Sequence, residues 1–139
     1  MANELVKVKR SFIGLGLFAA ADIAKDARII EYTGEKIPGS DRARHKGKYL
    51  FTLNERWTID GKGRDNIARY SNHSCRPNAK ALTIGHKIWI IARRKIRAGE
   101  EITYNYGKSY FNQFIKPFGC KCAKCRLEDE PKNRASVEY

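Results

Sequence analysis

Short apolar runs, each broken after a few residues by glycine, proline or a polar pair, constrain this chain more than any other feature of its sequence. Residues 28–32, 49–53, 56–59, 79–84, 87–92 and 101–106 are each of strand length, and no helical pattern is long enough for a crossover between parallel strands. A doubly wound α/β fold is therefore disfavoured, and a mainly β fold built from small sheets is expected. Asn54-Glu55 reads as the tip of a hairpin, and Gly85-His86 joins two further strands. Leu5, Val6 and Val8 open a first strand, and the apolar run after it carries Gly14 and Gly16, glycines of the kind found where something approaches a backbone closely. Residues 65–71 suit one short helix and residues 109–114 another. The polar stretch 36–48, with Pro38 and Gly39, reads as a loop.

With 139 residues, 42% of them hydrophobic, the chain is expected to bury one core. That domain should occupy residues 1–108, followed by a cysteine-bearing segment at 109–127 and a charged, disordered tail at 128–139. No apolar run approaches the roughly 18–20 residues that cross a bilayer, and the first twelve residues lack the apolar centre of a signal peptide. An intracellular protein with no membrane partner is expected, in the cytoplasm or nucleoid of a bacterium or the nucleus of a eukaryote, with a secreted effector left open. Lys and Arg number 28 against 15 Asp and Glu, a net charge of +13, which attracts nucleic acid or another acidic surface. These cations are scattered, so a solvated basic surface is an equal reading. Arg93, Arg94, Lys95 and Arg97 form the densest patch.

Chemistry is concentrated in Ala-Arg-Tyr-Ser-Asn-His-Ser-Cys-Arg-Pro-Asn, residues 68–78, which brings an amide, an imidazole and a thiol within a few positions. Its Cys75 is one of four cysteines; the others, Cys120, Cys122 and Cys125, stand in Cys-x-Cys-x-x-Cys spacing. That spacing is tight for two independent disulfides and suits three thiolates aimed at one centre, with Cys75 the remaining cysteine for a tetrahedral zinc site. Buried thiols or a local disulfide are the alternatives. Four thiolates leave no open coordination position, so one such zinc per chain would be structural and would clasp the C-terminal segment to the centre of the fold.

Gly-Leu-Gly-Leu-Phe-Ala, Glu-Tyr-Thr-Gly-Glu, Asn-His-Ser-Cys-Arg-Pro-Asn, Gly-Glu-Glu-Ile-Thr-Tyr-Asn-Tyr-Gly and Cys-x-Cys-x-x-Cys occur in that order between Arg10 and Cys125. In this combination the chain resembles SET-domain protein lysine methyltransferases with a post-SET zinc motif. The resemblance implies small β-sheets closed by a C-terminal pseudoknot that sets the Asn-His-Ser-Cys motif beside the final tyrosines. It also implies S-adenosylmethionine on one face, S-adenosylhomocysteine as its product, and a substrate lysine entering from the other face through a narrow channel. The backbone at Gly14, Leu15 and Gly16 would lie along the cofactor, with Asn72 and His73 contacting it and Tyr49 and Arg69 lining the same pocket. Tyr106 matches the catalytic tyrosine. Tyr104 matches a Phe/Tyr position that governs how many methyl groups are added, where tyrosine leaves less room and implies mono- or dimethylation. Tyr32, Tyr49 and Tyr104 would bound the substrate side. Apart from any resemblance, Tyr104 and Tyr106 lie two apart on an expected strand, so both side chains should leave one face.

The implied partner is a protein with an exposed lysine, a histone or a histone-like basic protein, with DNA or chromatin contact through the basic surface. Lys95 and Asn105 stand where the family often has acids, and Asp65 where it has glycine before Asn66; the 35–49 loop is short for the family insert that walls the peptide groove. These departures bear on target choice. Two rival readings are a zinc-stabilised nucleic-acid-binding module without enzyme activity, which explains the charge but not the tyrosine pair, and a redox pair at Cys122 and Cys125, which lacks its usual βαβ setting.

Overall fold

A computed structural model describes residues 4–38 and 49–107. Ten short strands form three antiparallel sheets and one parallel pair, and a single 3-10 turn, Ile67–Tyr70, is the helix named among the described residues. β1 (Val6–Ser11) and β2 (Gly14–Ala19) pair from Val6↔Ala19 to Ser11↔Gly14. Gly14 has φ of +122°, a conformation that other residues rarely adopt, so the chain can reverse there.

β3 (Arg28–Tyr32), β8 (Ala79–Ile84) and β9 (Lys87–Ala92) make a sheet in the order β3-β9-β8. Along β9 the alternation decides the faces: Ile88, Ile90 and Ala92 are fully buried, while Trp89 turns outward under the Arg28 guanidinium, 5.3 Å from its ring. Gly85, with φ of +63° at the first central position, makes the two-residue turn that joins β8 and β9 in register. The third sheet has the order β4-β6-β5, from β4 (Glu35–Pro38), β5 (Leu50–Thr52) and β6 (Trp57–Asp60). Asn54 Oδ1 accepts the Arg56 and Trp57 amides, each at 2.9 Å, and closes the expected hairpin.

The loop expected from residue 36 onward is corrected at its start, because Lys36, Ile37 and Pro38 continue β4. One apolar side chain explains it: Ile37 is 2% exposed opposite Thr58 and draws an otherwise polar segment onto the sheet. Pro38 ends an edge strand, where its missing N–H costs no ladder bond. The rest of that loop, the 109–114 helix, the cysteine segment and the tail lie outside the described residues.

Residues 101–106 were expected as one strand, but only Thr103–Tyr104 forms one, β10. The chain changes partners there. Ala19 donates to the Glu100 carbonyl and Ile102 to the Leu17 carbonyl, at 2.9 and 2.7 Å, after which Thr103 and Tyr104 run parallel to β7 (Asn72–His73). The core beneath this crossing holds Leu17, Ile23, Ile29, Ile88, Ile90, Ile96 and Ile102.

Candidate functional site

Two residues per strand give β7 and β10 too few ladder bonds to hold themselves together, and side chains supply the rest. Asn78, almost fully buried, donates through Nδ2 to the Glu101 carbonyl at 2.8 Å and accepts the Thr103 amide on Oδ1 at 3.0 Å. The Ser71 hydroxyl donates to the Ile102 carbonyl at 2.8 Å. Across this seam the Asn-His-Ser-Cys motif lies beside the two tyrosines, the juxtaposition that a pseudoknot requires.

Tyr106 is held at two points. Its amide donates to His73 Nδ1 at 3.1 Å, and its hydroxyl donates to the Ser71 carbonyl at 2.5 Å. With its proton committed to a carbonyl, the phenol oxygen presents lone pairs, making it an acceptor toward anything else that comes near. Accepting on Nδ1 sets the neutral His73 tautomer, whose proton sits on Nε2, 3.4 Å from Cys75 Sγ. Burial disfavours a charged ring and lowers the His73 pKa below its ordinary 6.5, in keeping with that tautomer.

Tyr106 lies two residues beyond the end of β10, so strand alternation does not explain its direction. The Tyr104 and Tyr106 rings nevertheless come within 4.9 Å, tilted by 56°. From them an aromatic row runs inward: Tyr104 to Phe51 at 6.4 Å, then Phe51 to Tyr32 at 5.2 Å. Phe51 was missed by sequence reasoning, which saw only a strand residue. Its position opposite buried Ile59 in the β5–β6 register was the signal available, and that signal does not mark a channel. Tyr32 donates its hydroxyl to the Tyr49 carbonyl at 2.9 Å, tying β3 to the start of β5.

The residues expected at a cofactor fall into two groups. In one, Asn72 Nδ2 reaches the Leu15 carbonyl at 3.1 Å and Glu101 Oε2 at 2.8 Å, so the Gly14–Gly16 backbone and the motif meet. In the other, the Arg69 guanidinium lies over the Tyr49 ring at 4.4 Å and the Tyr70 ring at 5.1 Å, and it donates to the Lys62 carbonyl. The glycines differ in what requires them. Gly14 needs its positive φ, with no described atom within 4 Å of an added Cβ, whereas a Cβ on Gly16 would fall 2.7 Å from Glu101 Oε2.

Of the four cysteines, Cys75 is described and is partly buried; Cys120, Cys122 and Cys125 lie outside the described residues. Among the described residues no three His, Cys, Asp or Glu side chains gather as a metal cluster. A proton on His73 Nε2 facing Cys75 Sγ suits a thiolate acceptor, the outer support that metal-bound ligands commonly receive. No described helix is long and apolar enough to cross a membrane.

The arrangement offers a lone-pair oxygen at the end of an aromatic row, a neutral imidazole and an amide fixed against a glycine-rich strand. Comparison with known proteins agrees with it. The SET domain family model matches residues 14–107. Histone-lysine N-methyltransferase set1 of Dictyostelium discoideum is 42% identical over 138 residues, covering 89% of this chain and 9% of that protein. Histone-lysine N-methyltransferase trr of Drosophila melanogaster is 35% identical over 137 residues, covering 89% of this chain and 6% of that protein. Histone-lysine N-methyltransferase set-2 of Caenorhabditis elegans is 43% identical over 118 residues, covering 75% and 8%. The chain thus spans less than a tenth of the length of these relatives.

Proposed function

The chain belongs to the SET-domain family, and from that premise we propose that it is an S-adenosylmethionine-dependent protein lysine N-methyltransferase acting on a histone or a histone-like basic protein. Support comes from three relatives named for histone-lysine methylation and, in the site, from one observation above the rest: the Tyr106 hydroxyl is pinned as a donor to Ser71, beside Tyr104 and His73.

The residues fit the cofactor. Asn72 and His73, with the Gly14–Gly16 backbone, are assigned to its amino-acid and adenosyl parts, and Tyr49 and Arg69 to the pocket wall. When bound, S-adenosylmethionine supplies an electrophilic methyl group on a sulfonium. The chain's own residues do the rest. Tyr32, Phe51 and Tyr104 would hold the lysine side chain in an aromatic, poorly hydrated row, which disfavours the ammonium form. A free lysine with pKa of about 10.4 is under about one part in a thousand neutral at pH 7, so that shift matters, and the rate should climb between about pH 7 and 9.5. The Tyr106 oxygen, its own proton engaged, accepts from the amine and orients its lone pair; the proton leaves to water. Positioning supplies much of the catalysis. Tyr104 restricts the space for added methyl groups, so mono- or dimethyl-lysine is the product, and trimethyl-lysine as the main species by mass spectrometry would remove this point.

We assign Cys75, Cys120, Cys122 and Cys125 to one structural zinc, with residues 1–108 as the SET domain, 109–127 as a post-SET segment and 128–139 as a tail. About one zinc per purified chain is expected; zinc-free protein with four titratable thiols would contradict it. The net charge of +13 suits DNA or chromatin contact beside the substrate, and a histone substrate would place the protein inside the cell.

Incubation with methyl-labelled S-adenosylmethionine and a panel of histones and other basic proteins tests the central proposal. Label should be transferred by the wild type and not by Tyr106→Phe. Salt-sensitive DNA binding without any transfer would replace the enzyme by a nucleic-acid-binding module.

A further inference from the structure

A half-buried carboxylate, used by neither the aromatic row nor the cysteines, stands behind Asn72. Asn72 Nδ2 has three oxygens around it: Glu101 Oε2 at 2.8 Å, the Leu15 carbonyl at 3.1 Å and Ser11 Oγ at 3.4 Å. The reverse orientation of the amide would press Oδ1 against a carboxylate and a carbonyl with no proton between them, so the arrangement of acceptors decides the orientation. Glu101 is itself fixed. Its backbone bridges to Phe18, and its carbonyl accepts from Asn78 Nδ2 at 2.8 Å. Its carboxylate occupies the space that a side chain at position 16 would fill, with an added Cβ 2.7 Å from Oε2 and 3.0 Å from Ser11 Cβ. Gly16 therefore has a reason to be glycine within the protein itself.

We propose that Glu101 is a positioning residue: by holding the Asn72 amide nitrogen it turns the amide oxygen toward the ligand, so that Asn72 selects an ammonium group and not a carboxylate. This rests on the assignment of S-adenosylmethionine to the site, and it names the end of the cofactor's amino-acid part that Asn72 reads. Glu101 acts through Asn72. Its neighbour Glu100 has a different task, bonding to Arg94 at 2.8 Å and to the Arg97 amide at 2.7 Å.

The test is calorimetric titration of the full chain with S-adenosylhomocysteine, which carries the amino-acid part, and with 5′-methylthioadenosine, which lacks it. Glu101→Ala should bind S-adenosylhomocysteine about 10-fold more weakly while binding methylthioadenosine within about twofold of wild type, because only the first ligand uses the oriented amide. Glu101→Gln, whose amide oxygen can accept the same bond and whose shape is nearly unchanged, should restore the preference to within about threefold. Equal weakening of both ligands in Glu101→Ala, or an unchanged preference for S-adenosylhomocysteine, would overturn the role of Glu101. Should Glu101→Ala not fold, a Glu101→Gln protein that loses the preference as the wild type keeps it would overturn the acceptor assignment. A wild type that binds neither ligand overturns the cofactor assignment, and this inference with it.

Discussion

The β8–β9 hairpin and the β7–β10 seam are held by opposite means. In the hairpin six residues face six in unbroken register, the turn is two residues long, and Ile88 and Ile90 are buried beneath the ladder. In the seam two residues face two, and the joining bonds come from Ser71, His73 and Asn78 to partners 25 to 35 residues away for Thr103, Ile102 and Tyr106. Apolar burial tolerates small changes of shape, whereas a buried hydrogen bond left unmade costs its full desolvation. The seam is thus the less tolerant of the two, and the proposed chemistry lies there, where few contacts fix many positions.

That contrast can be broken at four places. Tyr106→Phe should have the largest effect, a loss of about 10²-fold or more in methyl transfer from removing one oriented oxygen at the proposed reacting centre. Stability should fall by only about 1 kcal/mol, the usual value of one hydrogen bond, read by urea unfolding. Transfer within fivefold of wild type would show that the oxygen is not used. Asn78→Ala should cost about 3 kcal/mol, because the Glu101 carbonyl and the Thr103 amide both lose their partner and each unpaired buried group costs about 1–3. A cost below about 1 kcal/mol would mean that the short ladder holds without its side-chain hooks. On the other side of the comparison, Ile90→Val should cost about 1 kcal/mol in unfolding experiments and leave cofactor affinity and transfer within about twofold. A tenfold fall in affinity would show that the hairpin and the site are coupled.

The smallest effect belongs to Glu100, on the turn that feeds the seam. Its hydrogen bond from Arg94, aided by the Arg97 amide, holds the carboxyl below its ordinary 4.5. The folded-state value is lowered, so the stabilisation is complete above about pH 4.5 and is lost as pH falls through the lowered value. Because the pair is largely exposed, its worth is under about 1 kcal/mol. Glu100→Gln should flatten that part of the pH dependence of unfolding between pH 6 and 3; an unchanged acid limb would assign it to other carboxyls.

The same contrast governs what could be read in advance. Gly85-His86, Asn54-Glu55 and the alternation around Ile88 act between near neighbours, so the two hairpins stand in the sequence almost as they stand in the fold. Residues 101–106 misled because strand propensity is blind to a change of partner: Ile102 serves β2 and Thr103 serves β7. In the candidate site the motifs marked Asn72, His73, Tyr104 and Tyr106, and the structure brings these together. Phe51 carried no local mark, and Glu101, although inside the Gly-Glu-Glu-Ile-Thr-Tyr-Asn-Tyr-Gly motif, carried none of its place beside Asn72, since their neighbours in space come from other segments. Ile37 shows the reverse error, one apolar residue outweighing a polar run.

The crossing at Glu101–Tyr104 also orders events in time. Hairpins close over a few residues, but the seam must wait until segments some thirty positions apart have found each other, and longer loops close at greater entropic cost. A ligand that touches Asn72 on one side of the seam and the row around Tyr106 on the other acts as a latch on this late-closing element. Amide hydrogens of Thr103 and Tyr106 would then exchange slowly in its presence while those within β8 and β9 stay as they were, so that occupancy is written into the local breathing of the chain and not into its shape.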